Sequence, residues 1–249
     1  MGRLLAGIYA PRDGRITLGG AEGRHATTVR RLRPGERVDV TDGAGLLAEC
    51  EVIAAKPGSG ELDLTVLAMR REPPPRCRVT VVQAILKGDR GELALELMTE
   101  VGIDTIVPWA AERSVARWRP DREDKALSRW RTSAREAAKQ SRRARFPDVT
   151  EQASTAPAAA RVAGADLALL LDAEAELLLS ELRLPTEGEI VLIVGPEGGV
   201  SPAETAELTA AGAVSVRLGP SVLRGSTAGA VAGALVLSGC GRWASGPVA

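Results

Sequence analysis

The spacing of apolar and polar residues divides the chain into two regions with different predicted folds. From residue 36 to 70, short runs alternate apolar and polar side chains, which is typical of half-buried β-strands. Turn signals at residues 42–43 (DG) and 57–60 (PGSG) separate these runs. We therefore expect a small β-barrel or sandwich in the first part of the chain.

Longer, continuously apolar runs replace this alternation later in the chain. Strands are predicted over residues 78–86, 104–110, 165–173, 189–195 and 214–219, and a helix over 90–102. Apolar strands that alternate with helical or loop segments are typical of a parallel sheet covered on both faces. The second region is therefore predicted to be an α/β domain.

Three consecutive prolines mark the boundary between the two regions. Residues 71–77 read REPPPRC, and proline continues neither a helix nor a central strand. We expect one domain over residues 1–72 and a second over 73–249.

The composition narrows the class of protein. The 249 residues are 45% hydrophobic and 26% charged, with 32 basic and 32 acidic side chains, as in a soluble globular protein. The weakly polar stretch 228–240 is shorter than the roughly 20 residues of a membrane span, so no membrane role is expected. Nor do we expect a targeting signal at the N-terminus. Three widely spaced cysteines favour a reducing, cytoplasmic compartment.

Several kinds of chemistry are disfavoured by residues that the chain lacks. His25 is the single histidine, which argues against histidine-based zinc sites and against Ser-His-Asp or Cys-His catalysis. The cysteines match no metal spacing, so no metal is expected. The chain also contains no Walker-type and no G-x-G-x-x-G motif.

The neutral total charge conceals a strongly basic segment. Residues 117–146 carry 11 positive and 4 negative side chains, a net charge of +7, so the remainder carries −7. Trp118, Trp130 and Phe146 lie in the same segment. A polyanion such as RNA is the partner that this charge favours. The alternative is that helical spacing buries Trp130 and leaves the charges on a solvated face.

Glycine-rich turns follow two of the predicted strands. GPEGG at 195–199 precedes a helix start at Ser201–Glu204, which has the sequence of a capping box with proline at the first helical position. Ligands bind at the carboxyl ends of strands in open α/β sheets, so this turn is a candidate site. After the strand 214–219, a loop leads into a helix in which Gly229 and Gly233 lie one turn apart. For these two glycines we favour close helix packing over ligand contact.

The two turns carry a resemblance to a known family. LIVGPEGG at 192–199 and LGPSVLRGSTA at 218–228 resemble the motifs of the RsmE family, within the SPOUT superfamily of methyltransferases. Further matches are HxxxVxR at 25–31, KGD at 87–89, ERS at 112–114 and QSxR at 140–143. The resemblance covers essentially the whole chain.

The resemblance implies a fold and an activity. The fold is a PUA-like β-barrel followed by a SPOUT-type α/β domain with a deep C-terminal trefoil knot, through which the protein forms a homodimer. The activity is S-adenosylmethionine-dependent methylation of N3 of a uridine, uridine 1498 in the family, in 16S rRNA. The implied partners are 16S rRNA or the 30S subunit.

Candidate site residues follow from the resemblance and from the chemistry of the turns. The cofactor contacts are Leu171, Gly195, Pro196, Glu197, Gly198, Gly199, Leu218, Gly219, Leu223 and Ala228. Arg224 and Thr227 are the catalytic candidates, because donors near the uracil would stabilise its developing anion; support of the cofactor loop is the open alternative. The RNA-binding candidates are His25, Arg30, Arg31, Lys87, Arg90, Arg113, Arg142, Arg143 and Arg145.

Some positions depart from the family pattern. Glu96-Leu97 stands where Gln-Lys is common, Gly225-Ser226 where Thr-Glu is common, and Lys139 where Glu is common. Gly225 is expected to make the cofactor loop more flexible. These changes keep open a non-catalytic RNA-binding or ribosome-assembly factor on the same scaffold. A nucleotide-binding oxidoreductase is a third hypothesis, based only on the glycine-rich turn.

Overall fold

The computed structural model describes residues 14–244 and the strand at residues 3–6, and these fall into two compact units. The N-terminal unit extends to Pro74 and also includes Ala138–Phe146, and the C-terminal unit comprises Pro75–Ala137 and the chain from Pro147 onward. The change of unit after Pro74 lies within the triple proline. The domain boundary predicted between residues 72 and 73 did not include residues 138–146 in the N-terminal unit, to which they belong.

A mixed five-stranded sheet forms the framework of the N-terminal unit, in the order β1-β3-β4-β5-β2. Its strands are β1 (Arg3–Ala6), β2 (Arg15–Leu18), β3 (Arg37–Thr41), β4 (Leu46–Lys56) and β5 (Glu61–Arg71). β1 runs parallel to β3, and the other pairs are antiparallel. The turns predicted at 42–43 and 57–60 join β3 to β4 and β4 to β5. Val38, Val40, Leu62 and Leu64 alternate along the strands and are buried in the core of this unit.

A short helical segment that the periodicity did not predict connects β2 to β3. It consists of helix α1 (Gly20–Arg24) and a π-helical turn over His25–Val29. Buried Thr27 donates its hydroxyl proton to the Gly23 carbonyl, which accommodates a polar side chain inside the unit. Gly23 is enclosed so closely that a β-carbon there would lie 2.4 Å from the Leu18 carbonyl oxygen.

The segment 138–146 is bound to the N-terminal unit by specific hydrogen bonds. Thr41 Oγ1 donates to the Ala144 carbonyl at 3.0 Å, and Phe146 N–H donates to the Gly43 carbonyl at 2.9 Å. These contacts join residues about a hundred positions apart, which explains why local sequence patterns did not reveal them.

The C-terminal unit is built on a six-stranded parallel sheet, in the order β11-β9-β10-β6-β7-β8. The strands are β6 (Cys77–Ala84), β7 (Thr105–Trp109), β8 (Asp148–Val149), β9 (Leu167–Leu171), β10 (Gly188–Val194) and β11 (Val214–Val216). Its longer helices are α2 (Arg90–Val101), α3 (Glu123–Gln140), α4 (Thr155–Ala163), α5 (Pro202–Ala210) and α6 (Gly225–Gly239), and a 3₁₀ turn covers Leu179–Glu181. The residues of α3 from Ala138 belong to the N-terminal unit.

The predicted strands and the helix at 90–102 are confirmed with bounds that differ by up to three residues, and the two-residue β8 was not predicted. The central position of β10 follows from its sequence, because Ile190–Val194 is apolar and buried throughout. Strand β10 pairs with β9 on one side and β6 on the other.

Two features of the core confirm sequence-based interpretations. Trp130 of α3 is 3% exposed and packs edge to face on Trp118, with ring centroids 5.1 Å apart. The glycines of α6 allow close packing on α2, because a β-carbon at Gly229 would lie 2.8 Å from Met98 Sδ. A β-carbon at Gly233 would likewise lie 2.7 Å from Ile103 Cδ1. Both interpretations, Trp130 as core and the glycines as packing positions, are therefore confirmed.

Candidate active site

A cleft of about 770 Å³ lies in the C-terminal unit at the carboxyl ends of β9, β10 and β11. Its walls come from the segments that follow these strands, as expected for a parallel sheet. The volume falls within the range of about 300–1,000 Å³ that is usual for small-molecule sites.

Most of the predicted cofactor contacts line this cleft. They are Leu171, Gly195, Pro196, Glu197, Gly199, Leu218, Gly219, Leu223 and Ala228. Gly198 is not among the lining residues. Its backbone instead packs on the loop that carries Arg113, because a β-carbon at Gly198 would lie 3.0 Å from the Arg113 carbonyl oxygen.

The GPEGG turn is shaped by its own sequence. Gly199 has a φ of +73°, a backbone conformation that favours glycine. The helix that follows begins with the predicted capping box, in which Ser201 Oγ accepts from Glu204 N–H and Glu204 Oε2 accepts from Ser201 N–H at 3.1 Å. With Pro202 at the first helical position, the turn leads directly into α5.

The second turn meets the first at Gly225. The expectation that Gly225 loosens a loop is corrected, since this residue is the first of helix α6. A β-carbon there would lie 3.0 Å from Leu86 Cδ2 and 3.3 Å from the Gly195 carbonyl oxygen. Glycine therefore allows α6 to begin close against the GPEGG turn.

Charged side chains of both signs line the cleft. They are Arg90, Arg113, Arg217 and Arg224 on the basic side and Asp172, Glu174 and Glu197 on the acidic side. Glu197 is already engaged, since its Oε1 accepts at 3.4 Å from the guanidinium of Arg90 and from the Lys87 N–H. These two contacts link Glu197 to the residues at the start of α2. The mixed charge is suited to a ligand that carries both signs.

The two catalytic candidates occupy different places. Arg224 lines the cleft as the residue just before α6, whereas Thr227 is not among the lining residues. Thr227 Oγ1 donates to the Arg224 carbonyl at 3.1 Å. The geometry of Thr227 thus favours support of the turn over direct contact with a ligand.

The RNA-binding candidates of the C-terminal unit lie at or near the cleft. Arg90 and Arg113 line it. Lys87 does not, although its backbone N–H contacts Glu197. Two predicted phosphate contacts therefore stand at the same cleft as the glycine-rich turns.

The N-terminal unit carries the other RNA-binding candidates. Arg30 Nε donates to His25 Nε2 at 3.3 Å, so these two side chains form a pair at the π-helical turn. Arg31 and Arg142 have positive φ values of 51° and 57°, which are uncommon outside glycine and concentrate at functional sites.

Arg143 and Arg145 belong to the segment that joins the N-terminal unit. The Arg145 guanidinium donates to the Glu72 carbonyl at 2.7 Å and to the Pro73 carbonyl at 3.2 Å. Arg143 N–H donates to the Ala138 carbonyl at 2.9 Å. Arg145 therefore has a structural role in fixing the end of the proline linker, which sequence reasoning missed.

Sequence reasoning also missed three charged residues of the cleft, Asp172, Glu174 and Arg217. A signal existed for Asp172, since it directly follows the apolar run of β9 and carboxyl ends of parallel strands meet at one edge. Leu86, which packs against Gly225, gave no comparable signal.

The part of the chain that the structure describes lacks two features. No helix there has both the length and the apolarity needed to cross a membrane. Within the same residues, no group of three or more His, Cys, Asp and Glu side chains is placed to hold a metal ion.

Two family models match the chain. One, an RNA methyltransferase PUA domain, matches residues 18–65, and the other, an RNA methyltransferase domain, matches residues 72–237. The first match covers much of the five-stranded sheet, and the second contains the cleft. The fold and the site thus define an RNA methyltransferase with an N-terminal PUA-like domain.

Individual relatives identify the particular family of RNA methyltransferases. Ribosomal RNA small subunit methyltransferase E of Mycobacterium bovis is 50% identical over 229 residues, 90% of this chain and 86% of the relative. The Bacillus subtilis protein of the same name is 29% identical and covers 86% of each chain. A crystal structure of a ribosomal RNA small subunit methyltransferase E from Neisseria gonorrhoeae, bound to S-adenosyl methionine, matches the fold with a TM-score of 0.84 at 26% sequence identity. The match covers 96% of this chain and 98% of the Neisseria chain. The chain belongs to the RsmE family.

Proposed function

We propose that this protein transfers the methyl group of S-adenosylmethionine to N3 of a specific uridine, the counterpart of uridine 1498, in 16S rRNA of the small ribosomal subunit. The observation that carries the proposal is the cleft, where two glycine-rich turns and charges of both signs meet at the carboxyl ends of adjacent parallel strands. Family membership supplies the substrate class.

The residues of the cleft fit S-adenosylmethionine. The cofactor combines a neutral nucleoside with a cationic sulfonium and an amino-acid group, which matches a cleft with glycine-rich backbone and both signs of charge. Arg217 lines the cleft, and its Nε is buried without a hydrogen-bond partner among the described residues. Buried donors of this kind are normally satisfied, so an acceptor on a bound ligand is the expected partner. Glycines 195, 199 and 219 would let the nucleoside approach the main chain closely.

The chemistry requires that two reactants be held in line and that uracil N3 lose its proton to solvent. The new N3–CH3 bond replaces the N3–H bond as the S–CH3 bond of the cofactor breaks. The bound cofactor supplies an activated methyl group on a positively charged sulfur. In this proposal Arg224, which lines the cleft, donates to a uracil oxygen and so stabilises the anion that forms as the N3 proton leaves. Thr227 holds the Arg224 carbonyl and thereby helps to fix this part of the turn. The chain otherwise acts by orientation, which alone accounts for a large part of catalysis in such transfers.

RNA is bound, in this proposal, by both units. Arg90 and Arg113 would hold phosphates at the cleft, and Arg30, Arg31 and Arg142 would extend the contact on the N-terminal unit. The +7 charge of residues 117–146 adds a sequence-independent attraction. RNA affinity should therefore fall steeply with salt.

We also propose the knot that the family implies. After edge strand β11, the chain returns across the sheet, so that α6 packs on α2, β6 and β10. This path supports a C-terminal segment threaded through a loop. The test is forced unfolding by pulling on both termini, in which a knot leaves a shorter final extension than an unknotted chain of the same length.

The proposed homodimer has its support in exposed apolar side chains. Val222, Val231 and Leu235 are 80%, 40% and 42% exposed and lie on α6 or in the turn before it. Val231 and Leu235 are four residues apart on α6 and therefore share one face of the helix, and adjacent exposed apolar groups mark protein contacts. Sedimentation analysis of the wild type and of Leu235→Glu tests the dimer, since the charged variant should sediment as a monomer.

The three cysteines are free thiols, which supports the proposal that the protein acts in a reducing cytoplasm.

The central experiment is methyl transfer from labelled cofactor to small subunits of a strain that lacks the enzyme. The proposal predicts incorporation, and Arg224→Ala should reduce the rate with little loss of cofactor affinity. A protein that binds RNA but neither binds the cofactor nor transfers the methyl group would instead be the non-catalytic factor.

A further inference from the structure

Glu204 makes contacts that go beyond the capping box of α5. Its side chain is buried, at 5% exposure, and accepts three hydrogen bonds from three different segments. Ser201 N–H donates to Oε2 at 3.1 Å, Glu112 N–H donates to Oε1 at 2.8 Å, and Thr155 Oγ1 donates to Oε1 at 3.0 Å. A helix cap requires only the first of these.

The second contact reaches the loop that follows β7. This loop carries Arg113 into the cleft, and the residue whose N–H is held by Glu204 is its immediate neighbour, Glu112. The Glu112 carbonyl in turn accepts from the Arg117 guanidinium at 2.9 Å. One peptide segment next to Arg113 is therefore fixed on both sides.

The same loop contacts the GPEGG turn directly. A β-carbon at Gly198 would lie 3.0 Å from the Arg113 carbonyl oxygen and 3.3 Å from Arg113 Cβ, so the two backbones are in contact. Turn and loop are thus joined twice, once at Gly198 and once through Glu204. A displacement of one segment must be accommodated by the other.

The charge of Glu204 suits this role. Burial disfavours its charged form, but the hydrogen bonds from Glu112, Ser201 and Thr155 outweigh burial and hold the pKa below its usual value. The group is therefore ionised at neutral pH, with both oxygens accepting. In Glu204→Gln one of the two oxygens becomes an amide donor, so at least one of the N–H or O–H groups loses its acceptor.

We propose that Glu204 is a positioning residue that couples the cofactor-binding turn to the Arg113 loop, so that cofactor and RNA strengthen each other's binding. The inference rests on the proposed function, because it takes the turn as the cofactor site and Arg113 as an RNA contact. Coupling between two ligands is reciprocal, so either ligand can report it.

The test measures the affinity for small subunits, from a strain that lacks the enzyme, with and without saturating S-adenosylhomocysteine. For the wild type we expect affinity to rise by about fivefold or more with the cofactor product, the lower range of typical couplings. Glu204→Gln should lower this ratio toward one, because at least one of the three hydrogen bonds is lost. S-adenosylhomocysteine affinity in the absence of RNA should change by less than about threefold. Glu207→Gln, an exposed carboxylate on the same helix, is the matched control and should keep the wild-type ratio.

Thr155→Val is the second variant, because it removes one donor to Glu204 and leaves the carboxylate intact. It also removes the acceptor of the Trp109 Nε1–H, which lies 3.3 Å from Thr155 Oγ1. We expect an intermediate ratio, and this variant decides the question if Glu204→Gln does not fold. The inference is overturned if the wild type binds both ligands without coupling, if the variants keep the wild-type ratio, or if both affinities fall in parallel with thermal stability. Failure of the wild type to bind S-adenosylhomocysteine at all would instead contradict the proposed function.

Discussion

Lys139 and Glu22 form a buried ion pair within the N-terminal unit, and we expect its disruption to lower the free energy of unfolding. Lys139 Nζ lies 2.9 Å from Glu22 Oε1 and donates to Oε2 at 3.0 Å, with the side chains 7% and 12% exposed. The pair joins segment 138–146 to helix α1, just before the turn that carries His25. Loss of the pair should therefore disturb a proposed RNA contact as well as stability.

The magnitude follows from separation and burial. At 2.9 Å and an effective dielectric constant of about 20, two unit charges attract by about 6 kcal/mol. Much of this only offsets the desolvation of both groups, so the pair adds little relative to an apolar replacement. Removing Lys139 leaves the Glu22 carboxylate buried and should cost about 3–5 kcal/mol.

The assay is urea unfolding of Lys139→Met, Glu22→Met and the double variant, with hydrogen exchange of the β3–β5 amides as a local readout. Lys139→Met should lose about 3–5 kcal/mol of stability, and the double variant should lose much less than the sum of the two single variants. Arg76→Met is the matched control, because its 2.7 Å pair with Glu187 is 82% and 69% exposed and should cost less than about 1 kcal/mol. A Lys139→Met loss as small as the control's would refute the reasoning.

Two further predictions concern packing and pH. Gly229→Ala should destabilise the protein by about 1–3 kcal/mol in thermal unfolding, because the new β-carbon would lie 2.8 Å from Met98 Sδ. Gly164→Ala is the control and should be neutral, because the nearest atom to its β-carbon would be 3.7 Å away. Equal effects of the two substitutions would contradict the close packing of α6 on α2. Burial and the neighbouring Glu49 carboxylate raise the pKa of Asp39, so its favourable contribution is present below the ordinary Asp pKa and is lost as pH rises through the raised value. Asp39→Asn should therefore be more stable than the wild type at pH 7 in urea unfolding, and equal or lower stability would contradict this.

Sequence patterns predicted the parallel strands well because their information is local. The apolar run of β10, the capping box at Ser201 and the spacing of Gly229 and Gly233 each act within a few residues. The two glycine-rich turns came together at one cleft because parallel strands share a carboxyl edge.

The remainder depended on long-range contacts that no local pattern encodes. Arg145 was predicted only as a phosphate contact, and its hydrogen bonds to carbonyls more than seventy positions away, at the end of the proline linker, were missed. Glu204 looked like a helix cap only, and its bond to Glu112 spans 92 positions. Gly225 was expected to be a flexible loop residue, whereas it is the first residue of α6 and packs against Leu86 and the Gly195 carbonyl.

The most direct test of the proposed function is mass-spectrometric mapping of 16S rRNA from cells with and without this protein. The proposed function predicts that one N3-methyluridine is lost without the protein and restored by the wild type, but not by Arg224→Ala. An unchanged set of modifications, with every N3-methyluridine retained in its absence, would contradict the proposed function.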